Sequence, residues 1–490
     1  MKIDEPNVVI PLAASYNTRG IDAYTNAVTN TLDQRKVNSM YLPYTNPATG
    51  KMTLYHVKRP GFQIFNETDG TSGQVAHLQH TVGSVGGAWV FSTSGNDIRA
   101  SSSSTTQVIV TAAGYKPAYV ESTTISGAAY VVLQLRNASF AQRIFYAAES
   151  DITTWTEITD ADFTALTVLG KMEHLDGYAN IMDSRNRIYS FDVNSLSSLG
   201  ASNFITKTIA YDEPRGLAKL GNQLIAFNRD TFEVFVNAGN PAGSPLKRVP
   251  ELSQRYGLTT TNTVDQRNYT AIINGKIYWL DNKTTSVYAY DGQNVEKVSN
   301  ESIGRYLEDS GAVHYGLFRM SVGSQFALVI SLTTTAATTQ RWLMFFPELK
   351  EWFEWNSTVV CPTTDHLNPA AVLGVGSNQH KRYFSTITDS WQDDGTNYDR
   401  VIQFALPDEG NERKFMRWAG LRQDIERSAC NESVQFSDDD GQTWSTAVNI
   451  DCTSAKPHIY RLGSYRKRLV RLTNSSNHQR RIEKFLASVD

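Results

Sequence analysis

The chain has 490 residues, a formal charge of −3, 40% hydrophobic and only 19% charged residues, and it is rich in Thr, Ser, Asn and Tyr. This length exceeds the ~100–200 residues of one ordinary domain, and the composition suits short strands and polar loops better than helices. The charge excludes a protein that grips DNA over its whole surface, because that needs an excess of cations against phosphate, while three cysteines (Cys361, Cys430 and Cys452) exclude a disulfide framework and point to assembly in a reducing cytoplasm.

Residues 1–65 open without the apolar stretch of a secretory signal. They are polar, carry Asn17-Thr18-Arg19-Gly20 and Tyr41-Leu42-Pro43-Tyr44-Thr45-Asn46-Pro47, and are expected to form an extended arm or a partner strand. The longest apolar runs, 130–135 and 326–332, are of strand length, so no membrane-spanning segment is predicted.

From 66 to 410 one theme repeats: an apolar strand, a polar turn, then a strand bearing aromatics. Ala179-Asn180-Ile181-Met182 leads through Asp183-Ser184-Arg185-Asn186 into Ile188-Tyr189-Ser190-Phe191, a hairpin signature. The pattern returns at 223–236 and 276–290, and Ile98, Phe145, Tyr189, Phe235, Tyr288, Met344 and Ile402 mark equivalent outer-strand positions at steps of 44 to 58 residues. Propeller blades run ~40–50 residues. A four-stranded sheet cannot shield both its faces, so copies stack radially and each covers its neighbour. The fold class expected is therefore all-β, a β-propeller of six or seven blades, with a pair of β-sandwiches as the alternative.

Within this stretch, Ser299 to Leu307 is predicted to be helical, with Ser299 or Asn300 as cap and Ile303, Tyr306 and Leu307 on one face. Glu351-Trp352-Phe353-Glu354-Trp355 alternates as a strand covered on both faces, which favours core over an aromatic sugar ledge. The remaining residues, 411–490, are expected to form a small C-terminal β domain.

That domain holds the most specific motif. Ser437-Asp438-Asp439-Asp440-Gly441-Gln442-Thr443-Trp444 matches the Asp-box pattern S-x-D-x-G-x-T-W, with Ser437, Asp439, Gly441, Thr443 and Trp444 at the fixed places. Its mechanics are structural: the aspartate accepts backbone hydrogen bonds, Gly supplies a positive φ and Trp plugs the hairpin base. Such boxes recur in bacterial sialidases, but only one is present here and no catalytic residues are assigned. A calcium loop centred on Gly441 fails, because Phe436 and Ala447 fall at its ligand positions. His77 with His80 and Cys361 with His366 lack further ligands at suitable spacing, and phosphate-cradling or nucleophile motifs are missing. Neither metal nor cofactor is expected.

The carboxyl end is locally basic. Arg461, Arg466, Lys467, Arg468, Arg471, Arg480, Arg481 and Lys484 face a single anion, Glu483. A strand through 466–472 would send Arg466 and Arg468 to one face and Lys467 and Arg471 to the other. Such a patch would meet an acidic partner or DNA phosphates.

Taken in order, Val37-Asn38-Ser39-Met40-Tyr41-Leu42-Pro43, Gly50-Lys51, Lys58-Arg59-Pro60-Gly61-Phe62, Pro214-Arg215-Gly216-Leu217-Ala218, 234–239, Gln254-Arg255-Tyr256-Gly257-Leu258, the 299–307 helix, the 437–444 hairpin and the 466–472 strand resemble the tail nozzle (tail accessory, packaged-DNA stabilisation) proteins of short-tailed bacteriophages. The resemblance implies a homo-hexameric ring below an adaptor ring on the portal side, a lumen passing double-stranded DNA without sequence specificity, and docking surfaces for tail fibre, spike or plug proteins. It implies a virion tail component assembled in the host bacterial cytoplasm. A slippery, near-neutral channel wall fits the charge of −3. Gating loops are expected in the Ser/Thr-rich stretches 101–106 and 333–339. The alternative function is a carbohydrate-binding or glycoside-hydrolysing propeller, motivated by the Asp-box and the aromatics.

Overall fold

Turn chemistry sets the first level of structure. At Asp176-Gly177 and Asn274-Gly275 both central residues have positive φ, 49° and 82° in one turn, 50° and 74° in the other, the primed geometry whose twist matches paired antiparallel strands. These turns join Val168–Leu175 to Tyr178–Asp183 and Thr270–Ile273 to Lys276–Leu280. Two more antiparallel strands complete a four-stranded sheet in each case.

The computed structural model describes residues 5–12 and 35–490, except 46, 48–49, 67–78, 84–86, 95, 102–105, 140, 208, 210–211, 241, 260–268, 310–313, 323–324, 334–339, 358–359, 365–371, 377–378, 384–390, 394, 408–411, 424–429 and 479. Most of both expected gating loops, and the histidines His77 and His366, lie outside the described residues.

The described strands form a seven-bladed β-propeller. Blades one to six occupy residues 79–111, 116–157, 168–206, 214–254, 270–297 and 314–357, each a four-stranded antiparallel unit in chain order. Blade seven is composite: Val360–Thr364, Val372–Gly376 and Gln379–Tyr383 are local, and the outermost strand, Phe62–Asn66, comes from the amino-terminal region. The first strand of blade seven contacts that of blade one, closing the ring.

Packing follows the radial logic. Leu175, Met182 and Ile188 of blade three interlock with Leu217, Leu224, Ala226 and Phe235 of blade four. Ile225, Phe227 and Phe232 of blade four then meet Ile277, Trp279 and Tyr290 of blade five. Each fully buried side chain of this size contributes ~1.5–3 kcal/mol, so the repeated aromatic strands are what join blade to blade. The predicted helix runs Glu301–Asp309. Asn300 Oδ1 accepts from Ile303 N at 2.9 Å as its cap, and Ile303, Tyr306 and Leu307 enter the core between blades five and six. Trp352 faces that same core, while Phe353 and Trp355 face the opposite one, so both sides of the aromatic strand are covered.

The six marker positions Ile98, Phe145, Tyr189, Phe235, Tyr288 and Met344 all fall on the third strand of their blades, equivalent as expected but one strand in from the rim. Ile402 breaks the series. It belongs to Arg400–Ala405, which pairs with Leu469–Asn474 in a second module.

That module is a β-sandwich built from both end regions of the chain. One sheet orders Ser39–Thr45, Met52–Lys58, Ile482–Val489, Lys414–Gln423 and His458–Tyr460, with Val8–Pro11 also on Ile482–Val489. The other runs Arg35–Val37, Arg400–Ala405, Leu469–Asn474, Asn431–Ser437 and Val448–Asp451. Ile402, Phe404, Val434 and Val470 pack between them against Leu421, Ile482 and Phe485. The boundaries expected at 65 and 410 therefore shift: 62–66 completes a blade, and 400–405 belongs to the sandwich. Arg35–Val37 also pairs in parallel with the outer strand of blade six, making one sheet continuous across both modules.

Candidate functional site

Three places concentrate polar chemistry: the Asp-box hairpin with its basic neighbours, the joint between sandwich and propeller, and a cavity over blades two to four.

The Asp-box is a self-contained turn. Ser437 Oγ donates to Asp439 Oδ1 at 2.7 Å and accepts from Gly441 N at 2.8 Å, while Thr443 N and Oγ1 donate to the two Asp439 oxygens at 2.9 and 2.5 Å. These donors, the Thr443 hydroxyl first, push the Asp439 carboxyl down to about 2. Gly441 has φ 86°. Trp444 is half-buried, with the Arg471 guanidinium 3.6 Å from its ring centroid. The box sits in the sandwich, outside the propeller.

The basic residues do not form one patch. Arg468 is buried and clamps Asp438 through two 2.7 Å bonds, with Tyr465 and Phe436 rings against its guanidinium. Arg480 is fully buried, donating to Gln423 and to Cys430 Sγ, and nearby Glu432 helps raise its pKa. Arg471 also donates to Gln403 Oε1. Arg481 and Lys484 are half-buried. The strand begins at Leu469, so Arg466 and Lys467 do not alternate; they share an exposed turn, with exposed Arg461 before them. Asp438 lies thirty positions from Arg468, and its pull inward leaves no local trace in sequence. Cys430 and Cys452 are both buried free thiols.

The joint is ionic. Arg59, fully buried, reaches Asp393 with both terminal nitrogens (2.9 and 2.5 Å), Asn38 Oδ1, and the carbonyls of Pro60 and Asn356, with its guanidinium 3.9 Å from the Tyr398 ring centroid. Asn38 itself has φ 52° and donates to Asp399 O. Lys36 pairs with Glu351 at 3.0 Å, both buried; beside the joint, within the sandwich sheet, Arg400 pairs with Glu432, both fully buried. Burial, then Arg400 and Lys36, hold His56 well below its ordinary value, so it stays neutral. Burial likewise brings Lys58 down to about 8. Gly61 completes the joint: a Cβ there would lie 1.9 Å from Gln392 O.

The cavity, about 510 Å³, is lined by Glu121, Glu149, His174, Asp176 and Lys219, together with hydroxyls of the strand from Ser122 to Thr124. His174 is 8% exposed, and neither ring nitrogen makes a hydrogen bond; Nδ1 lies 3.9 Å from Glu121 Oε2. Glu173, beside it in sequence, is buried and pairs with Lys171 at 2.6 Å, and desolvation raises its carboxyl pKa. Sequence reading missed this cluster because its members come from first strands and turns of different blades. Among the described residues no group of His, Cys, Asp and Glu is arranged to hold a metal.

No protein-family model matches the chain, and neither does any curated protein sequence. Among solved structures, the chain is similar to the crystal structure of BBS1N in complex with ARL6DN, soaked with lead, at 11% identity and TM-score 0.43, covering 67% of this chain and 98% of that one. It is also similar to a chain of the mitotic checkpoint complex, at 8% identity and TM-score 0.39, covering 71% and 98%.

Proposed function

We propose that this chain is a non-catalytic structural subunit of a short-tailed phage virion, forming a homo-hexameric nozzle ring that extends the DNA channel below the adaptor. In this reading the ring helps to retain and release packaged double-stranded DNA, docks fibres, spikes or a plug, and assembles in the host cytoplasm before joining the tail. One observation carries the reading. The amino-terminal stretch that bears the family resemblance, Asn38 with Lys58-Arg59-Pro60-Gly61, is the stretch that locks sandwich to propeller through buried charge. A subunit that transmits load along a tail axis needs its two modules rigidly coupled, and a bidentate buried arginine supplies directional bonds that apolar packing lacks.

The sandwich also exposes large apolar side chains: Val9, Tyr44, Met52, Phe415, Val448 and Tyr460. Surfaces of this kind suit a partner. The carbohydrate alternative has less to draw on, since the Asp439 carboxylate is used within its own turn.

The test is electron microscopy of the chain assembled with the adaptor ring of a short-tailed phage. Six-fold rings on the tail axis are expected. A persistent monomer that binds immobilised glycans or turns over a glycoside would overturn the reading.

A further inference from the structure

We infer that the cavity over blades two to four is the acceptor half of a head-to-tail contact between copies of this chain, and that the exposed Arg466-Lys467 turn of the next copy is the donor half. The inference rests on the ring-forming reading above and specifies which surfaces make the ring.

The acceptor is built for a cationic side chain. Glu121, Glu149 and Asp176 bring three carboxylates to the cavity against one lysine, Lys219, and among the described residues neither Glu149 nor Asp176 has an ion-pair partner. His174 is buried there with both ring nitrogens unpartnered. A buried ring without a hydrogen bond is costly, and a charged group entering with its water or hydroxyl neighbours gives it a partner. A volume of about 510 Å³ admits a lysine or arginine head.

The donor is equally exposed. Arg461, Arg466 and Lys467 make no ion pair among the described residues, in contrast to Arg468 beside them. Phe415 and Tyr460, 49% and 55% exposed, lie on the strands next to this turn. Aromatic and arginine side chains together are the usual anchors of a protein interface.

Placement supports a ring over a closed dimer. The sandwich joins the propeller at the outer strand of blade six, and blade six is three steps from blade three one way and four the other. The donor is thus carried by the sandwich, which is attached at blade six, and the acceptor lies over blades two to four. Two different, complementary surfaces on separate modules give a heterologous contact, which propagates and closes as a ring when the rotation allows.

Charge exchange tests this. Glu149→Lys and Lys467→Glu, each checked for wild-type circular dichroism, should raise the concentration for half-assembly at least tenfold by light scattering, and the double variant E149K/K467E should recover most of that loss, as close interfacial charge pairs do. Rings that form equally well in both single variants, or a double variant worse than either single one, would overturn the contact and leave the nozzle reading standing. A wild-type chain that forms no ring even with the adaptor would remove both. Tight binding of spermidine or a free Arg-rich peptide to the cavity, with assembly unaffected by it, would assign the site to a soluble polycation instead.

Discussion

Blades three to five and the sandwich joint solve the same problem, holding one sheet against another, by different physics. The blades use apolar repetition, with Phe227, Phe232, Trp279 and Tyr290 interleaved across one blade boundary. The joint uses buried cations with named partners, Lys36 with Glu351 and Arg59 with Asp393, and the sandwich sheet beside it holds a third such pair, Arg400 with Glu432. Apolar packing tolerates sliding and needs only volume, whereas a buried ion requires its partner in one place. The repeats thus obtain stability, and the joint obtains a fixed angle between modules.

The sharpest way to break that contrast is to cut each side once. Trp279→Ala and Arg59→Ala should each cost about 3–5 kcal/mol, the first by leaving a cavity and the second by stranding Asp393. Their amide-exchange maps should differ. The tryptophan variant loses protection in blades four and five, and the arginine variant loses it in the sandwich while those blades stay protected. Equal, global loss in both would show that the two regions form one cooperative unit. Gly61→Ala comes next, at about 1–3 kcal/mol, because its methyl group meets the Gln392 backbone; the expected reading is a lower thermal midpoint with faster exchange near Gln392.

A gentler probe is acid. His56 titrates below its ordinary 6.5 in the folded chain, so below that pH the unfolded chain takes up a proton that the folded chain refuses. Stability is therefore full above pH 6.5 and falls as pH drops beneath it. Urea midpoints measured between pH 7 and 5 should show this slope, and His56→Phe should flatten it. The smallest effect belongs to Asp439→Ala, which should unprotect the Thr443 amide and leave the joint and the blades unchanged.

Much of the propeller was legible in the sequence because blades are local. Their turns and aromatic third strands recur within 44 to 56 residues from Ile98 to Met344. The series failed at Ile402 because the third strand of blade seven is the polar Gln379–Tyr383, nearer to Met344 than the earlier steps suggest, and 400–405 already belongs to the sandwich. Composition flagged eight cations near the carboxyl end but did not separate Arg468 and Arg480, drawn inward by distant partners, from Arg466 and Lys467, left in solvent. The cavity residues were invisible for a related reason: Glu121 and His174 are neighbours only because two first strands lie side by side. The Asp-box turn was readable entire, being formed by eight consecutive residues, but the place of its tryptophan depended on Arg471 from another strand.

Borrowing the strand at Phe62–Asn66 also orders events in time. Its pairing partner ends at Tyr383, so during synthesis this short ribbon waits, unclaimed, while almost the whole wheel emerges from the ribosome. Such distant pairings are slow to find. The latch drops only after every other spoke has been made, and a half-translated chain therefore has its last blade open at the rim.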